Sequence, residues 1–109
     1  MYKYVIELKT NGEIIQKSVR NDYKLTLEDL QRAVDGYIET VGVTGDFAGR
    51  KILLIVKEEG AIGGLEFNLH AASLVDYPIF GNCVVVRADG EELLPLEVED
   101  VQNVYKTMI

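Results

Sequence analysis

Leu30-Gln31-Arg32-Ala33-Val34-Asp35-Gly36-Tyr37-Ile38-Glu39 decides the fold. Leu30 and Val34 lie one helical turn apart, with Ala33 beside them, so the first half reads as an amphipathic helix. From Tyr37 to Val41 the pattern alternates instead, as in a strand with one buried face. Gly36 falls between the two, where a left-handed residue closes a helix at little steric cost. The junction therefore joins a helix directly to a strand within one domain.

Upstream, Thr26 is placed as an N-cap, with Asp29 at the third position after it as in a capping box. Leu27 is expected on the same apolar face as Leu30 and Val34. Residues 2–9 and 13–20 are rich in β-formers and partly alternate. Between them lies Thr10-Asn11-Gly12, whose Asn-Gly pair tolerates positive φ and marks a hairpin.

Downstream, Ile52 to Val56 is a continuous apolar run, as in a strand buried on both faces. Asn68 can cap a short helix through Leu74, with Leu69, Ala72 and Ser73 turned inward. Pro78 ends that element, and a strand runs from Cys83 to Arg87. A turn at Asp89-Gly90 leads past Pro95 to a final helix over 97–108, with Val98, Val101, Tyr105 and Met108 as its apolar stripe. Glu97, Glu99 and Asp100 in its first turn and Lys106 in its last suit the helix dipole.

The whole predicts one α+β domain over residues 1–109. It has a hairpin at 2–20, a helix–strand core at 26–88 and a C-terminal helix at 97–108. The mainly antiparallel sheet has about five strands, with two main helices and one short helix expected on one face.

At 109 residues and 48 % apolar content the chain can bury a core without disulfides or metal. The N-terminus lacks the apolar core of a signal peptide, and no apolar run approaches a membrane span. A soluble, cytosolic protein with no membrane contact is expected. The formal net charge of −7 is unevenly spread. Residues 1–32 hold six basic and five acidic side chains, and residues 33–109 hold five basic and thirteen acidic ones. Asp89, Glu91, Glu92, Glu97, Glu99 and Asp100 form the densest block, with no Lys or Arg among them. Direct nucleic-acid binding is disfavoured, because phosphates need a basic patch. A solvated acidic face or a surface for a basic partner protein both fit.

The chemistry-bearing residues are few. Cys83 lies in an apolar run, where a buried, inert thiol is the usual case. His70 has no sequence-near Cys, Asp or second His to complete a metal set or triad. The glycines of Gly60-Ala61-Ile62-Gly63-Gly64 and of Gly42 to Gly49 lack the following Lys-Ser/Thr and long helix of a phosphate loop. The pairs Glu58-Glu59 and Glu91-Glu92 sit at turns and point to solvent, while Glu39 and Glu66 are single acids. Phe47 and Phe80 flank glycine-bearing loops, where an aromatic either plugs the core or stacks on a ligand. No metal, cofactor or catalytic residue is assigned, and the reading leans away from an enzyme.

Leu30-Gln31, Val34 and Gly36-Tyr37-Ile38-Glu39 resemble the LQ-x-x-V-x-GYIE signature of an uncharacterised domain family of phage and mobile-element proteins. Ile55-Val56-Lys57-Glu58-Glu59-Gly60 is similar to its central strand and turn. Gly64-Leu65 with Asn68 resembles its G-L-x-x-N element, and Ile79 with Gly81-Asn82 and Val84-Val85-Val86 its I-x-G-N-x-V-V-V strand. The resemblance runs from about Leu27 to Arg87. It implies a small accessory protein of unknown function in the cytoplasm of a bacterial host, and it brings no catalytic residues.

Two functions from different classes follow. The first is a non-enzymatic protein that binds a host protein, with counter-defence as its setting, through Asp89, Glu91, Glu92, Glu97, Glu99 and Asp100. The second is a binder of a small, nucleotide-type ligand, with polar contacts from Arg50, Asn68, Asn82 and Arg87 around the Gly60–Asn68 loop. An uncharacterised enzyme is the third. A homodimer is the default expectation for a small domain with strand edges to cover.

Overall fold

The computed structural model describes residues 2–20, 24–44, 47, 49–58, 60 and 63–108. Six strands and three helices form among them: β1 (Tyr2–Leu8), β2 (Ile14–Arg20), α1 (Leu27–Val34), β3 (Ile38–Gly42), β4 (Lys51–Lys57), α2 (Leu69–Val75), β5 (Cys83–Asp89), β6 (Glu92–Leu94) and α3 (Val98–Met108). The strands make one antiparallel sheet in the order β2-β1-β5-β4-β3, with β6 paired to the end of β5. The fold is α+β, as predicted. The sixth strand, β6, lies beyond the five expected. It is only three residues long, too short to show a period of two.

The helices do not share one face of the sheet. Alternate residues of β4 and β5 divide between two cores. Ile52, Leu54, Val56, Cys83 and Val85 pack with Ala71, Leu74 and Val75 of α2 and Val101 and Val104 of α3. Leu53, Ile55, Val84 and Val86 pack with Leu30 and Val34 of α1 on the other side. A strand that is apolar at every position needs cover on both faces, and the chain supplies it from opposite sides.

The N-terminal hairpin forms as predicted, through a different turn chemistry. Gly12 alone takes positive φ, at +93°. Asn11 instead accepts the Glu13 N–H through its side-chain oxygen at 2.9 Å. Thr10, Asn11 and Gly12 thus make a three-residue connection closed by Lys9 and Glu13.

Thr26 caps α1 in a full capping box: its hydroxyl accepts the Asp29 N–H at 3.1 Å, and the Asp29 carboxylate accepts the Thr26 N–H at 3.2 Å. Leu25 and Leu30, at the positions of a hydrophobic staple, belong to the same core. Leu27 is 57 % exposed, because it sits at the helix start and Leu25 takes its place inside. The left-handed closing residue is Asp35, at φ +61°, and not Gly36. Gly36 serves another purpose: a Cβ there would lie 2.8 Å from Cε of Lys57, whose stem crosses the junction.

Two other helical faces differ from expectation. In α2 the buried residues are Ala71, Leu74 and Val75, while Leu69 and Ser73 are exposed. In α3 they include Val101 and Val104, while Val98 is exposed. Leu96, just before α3, is fully buried and bridges to Tyr4 of β1, which moves the first apolar anchor ahead of the helix. Glu59, Ala61 and Ile62, named from the sequence, lie outside the described residues.

Candidate functional site

The six acids read as one block separate into two groups in space. Asp89, Glu91 and Glu92 surround the turn between β5 and β6, where Gly90 takes φ +62°. All three are exposed, and none has an ion pair among the described residues. Glu97, Glu99 and Asp100 gather instead around Arg50. Its guanidinium lies 3.3 Å from Glu97, 3.5 Å from Glu99 and 3.1 Å from Asp100. Lys3 adds a 3.7 Å contact to Glu97. The three carboxylates, Asp100 first, raise the Arg50 pKa above its ordinary value. A buried carboxylate without such a partner is strongly unfavourable, so this cluster first holds α3 to the sheet. Of these six acids, those that are exposed and without an ion pair among the described residues lie at the β5–β6 tip.

Both groups lie at the same end of the sheet, since Lys51, next to Arg50, pairs with Ala88, next to Asp89. Cross-strand register thus places Arg50, Lys51 and Arg87 near acids that are far away or unbroken in sequence. Run length along the chain overstates the local negative charge.

Arg50, Asn68, Asn82 and Arg87 do not meet in one pocket. Asn68 and Asn82 lie beside the start of β5, and Arg50 and Arg87 lie at the start of β4 and near the end of β5. The seven residues of β4 span the gap, roughly 20 Å at strand rise. Asn68 is fully buried. Its amide donates to Leu8 O at 2.9 Å and Gly81 O at 2.8 Å, and its oxygen accepts the Ala71 N–H at 3.1 Å. Asn82 accepts the Thr10 N–H at 3.0 Å. Arg87 is half-buried, and its Nε has no hydrogen-bond partner among the described residues.

The remaining candidates have structural roles. Burial pushes the Cys83 thiol up to about 12, so it stays protonated at neutral pH. His70 is half-buried on α2, and its carbonyl accepts the Ser73 hydroxyl at 2.6 Å. Phe47 plugs the larger core, whereas Phe80 meets Phe67 edge to face, 5.9 Å between ring centroids. No group of metal-binding side chains occurs among the described residues. No helix among them is long and apolar enough to cross a membrane.

One concave site escaped the sequence reading. Between α1 and the β1–β2 hairpin lies an open cleft of about 400 Å³, bordered by Glu7, Lys9, Lys17, Asp29 and Arg32. Its floor is apolar, from Val5, Leu30 and Val84. The signal was available. Glu7 and Lys9 share a face of β1 by alternation, and Val5 pairs with Lys17 across the hairpin. What the sequence lacked was where α1 sits: it packs mainly on β3, β4 and β5 and meets β1 at Val5, so a cleft stays open beside the hairpin.

The family model described as a domain of unknown function (DUF3846) matches residues 3–109, and the chain belongs to that family. No curated protein and no solved structure matches it.

Proposed function

We propose that this member of the DUF3846 family is a non-enzymatic accessory protein of a phage or mobile element that binds a host protein, with counter-defence as its setting. The mobile-element setting rests on the sequence resemblance. The binding reading rests on the β5–β6 tip, where Asp89, Glu91 and Glu92 are exposed and without ion pairs among the described residues. Carboxylates presented on a short hairpin meet a basic surface without first breaking internal pairs. Glu97, Glu99 and Asp100 lie at the same end of the sheet but are engaged by Arg50, with Glu99 the most exposed of the three.

The protein is expected to capture its partner from a lysate of the host bacterium at low salt and to release it at high salt. The comparison is with the variant Asp89→Asn, Glu91→Gln, Glu92→Gln. Loss of the same partner in that variant supports the reading. Equal capture by both proteins at both salts contradicts it.

A further inference from the structure

We infer that the cleft between α1 and the β1–β2 hairpin is a binding site for a small organic phosphate of mononucleotide size, held by Lys9, Lys17 and Arg32. The site lies on the sheet face covered by α1, and it does not depend on the acidic tip.

Three elements each bring a cation to the cleft: Lys9 follows β1, Lys17 lies on β2, and Arg32 lies on α1. Two carboxylates answer them, so among the described residues the cleft lining carries one positive charge in excess on a chain of net charge −7. The carboxylate of Glu7 is 12 % exposed and lies 2.6 Å from Lys17 Nζ and 3.4 Å from Lys9 Nζ. One acid therefore holds two ammonium groups together at the hairpin wall. Each ammonium has three donors, and Glu7 occupies only some of them.

Across the cleft, Arg32 is 79 % exposed and lies 3.8 Å from Asp29, a long contact that leaves most of the guanidinium fork open. That fork matches phosphate oxygens in geometry as well as charge. The Val5, Leu30 and Val84 floor offers an apolar surface for a flat ring. A volume of about 400 Å³ suits a small ligand. Charge, fork geometry and floor together favour a phosphate joined to a ring over a bare anion.

The test uses the full chain, with ADP and inorganic pyrophosphate as probes. Titration followed by backbone amide shifts should move residues 7–9, 17–19 and 29–33 with ADP, and bind pyrophosphate more weakly. Lys17→Gln and Arg32→Gln should each weaken ADP about tenfold or more, on the scale of a lost charge-assisted hydrogen bond. Lys106→Gln, on α3, should leave it unchanged. Circular dichroism on each variant separates lost binding from lost folding. Shifts elsewhere, equal binding by all variants, no response to millimolar ADP, or shifts with an acidic peptide and not with ADP would each overturn the assignment. These outcomes leave the acidic-tip reading untouched, because no tip residue is changed.

Discussion

Asp100 and Arg50, fifty positions apart, are joined by a 3.1 Å contact in which the carboxylate is almost fully buried. The other oxygen of Asp100 accepts the Glu97 N–H at 3.0 Å, at the start of α3. One side chain thus fixes the beginning of a helix and ties it to the residue that leads into β4. An acid that looks like part of a surface block is a core component.

Asp100→Ala should therefore lower stability by about 1–3 kcal/mol, the range for removing a partner from a buried polar group. Arg50→Met should also destabilise, by leaving the Asp100 charge buried alone. The double variant should be less damaging than the sum of the two. Urea unfolding of the three proteins checks the coupling. Strict additivity would show that the pair does not act as a unit.

Asn68 carries a sharper test of chemistry at constant size. Its amide donates to Leu8 O and Gly81 O, and its oxygen caps α2. Asn68→Asp keeps the cap and turns two donors into a buried acceptor facing two carbonyls. It should cost at least as much as Asn68→Ala, about 2–4 kcal/mol for a cap together with buried hydrogen bonds. An Asp variant of native stability would show that the donor side of the amide is dispensable.

Both short helices end on an aspartate in the left-handed region, Asp35 at φ +61° and Asp76 at φ +62°. Glycine adopts that conformation freely, and an acid at a helix C-terminus opposes the dipole. Asp35→Gly and Asp76→Gly should each stabilise by about 0.5–1 kcal/mol. Thermal unfolding at neutral pH measures it, and a lower Tm in both would contradict the cap assignment.

The Cys83 thiol titrates near 12 in the folded protein against an ordinary value of 9.0. Its pKa is raised on folding, so its contribution is fully present below the unfolded value. As pH rises above that value, the unfolded chain loses its proton first and stability falls until the folded pKa is reached. Between pH ~8 and pH ~10.5 the wild type should lose about 2 kcal/mol relative to Cys83→Ala, at 1.36 kcal/mol per pKa unit. Parallel stability curves for the two proteins would show that Cys83 is not the group responsible.

The fold was legible where a local rule acts alone. Thr26 and Asp29 announce a capping box, Ile52 to Val56 announces a central strand, and Asn68 announces a cap. It was not legible where a distant partner decides. Whether Leu25 or Leu27 enters the core depends on how α1 sits on the sheet. Gly36 looks like a helix terminator and makes room for Lys57, while Asp35 takes the left-handed turn. The candidate sites follow the same division. Acid density along the chain merged Asp100 with Glu91, although Arg50 separates their roles. The Lys9, Lys17 and Arg32 cleft depends on how α1 sits beside the hairpin, and no local pattern records that.

The central claim is that the β5–β6 tip binds a basic protein surface. The most direct measurement is the Kd of the captured partner over a salt series, about 50 to 500 mM, for wild type and for the Asp89→Asn, Glu91→Gln, Glu92→Gln variant. The account predicts that wild-type affinity falls steeply with salt. The variant should bind more weakly at low salt with a flatter dependence, and the two should converge at high salt. Equal affinity and parallel salt dependence for the two proteins would contradict it.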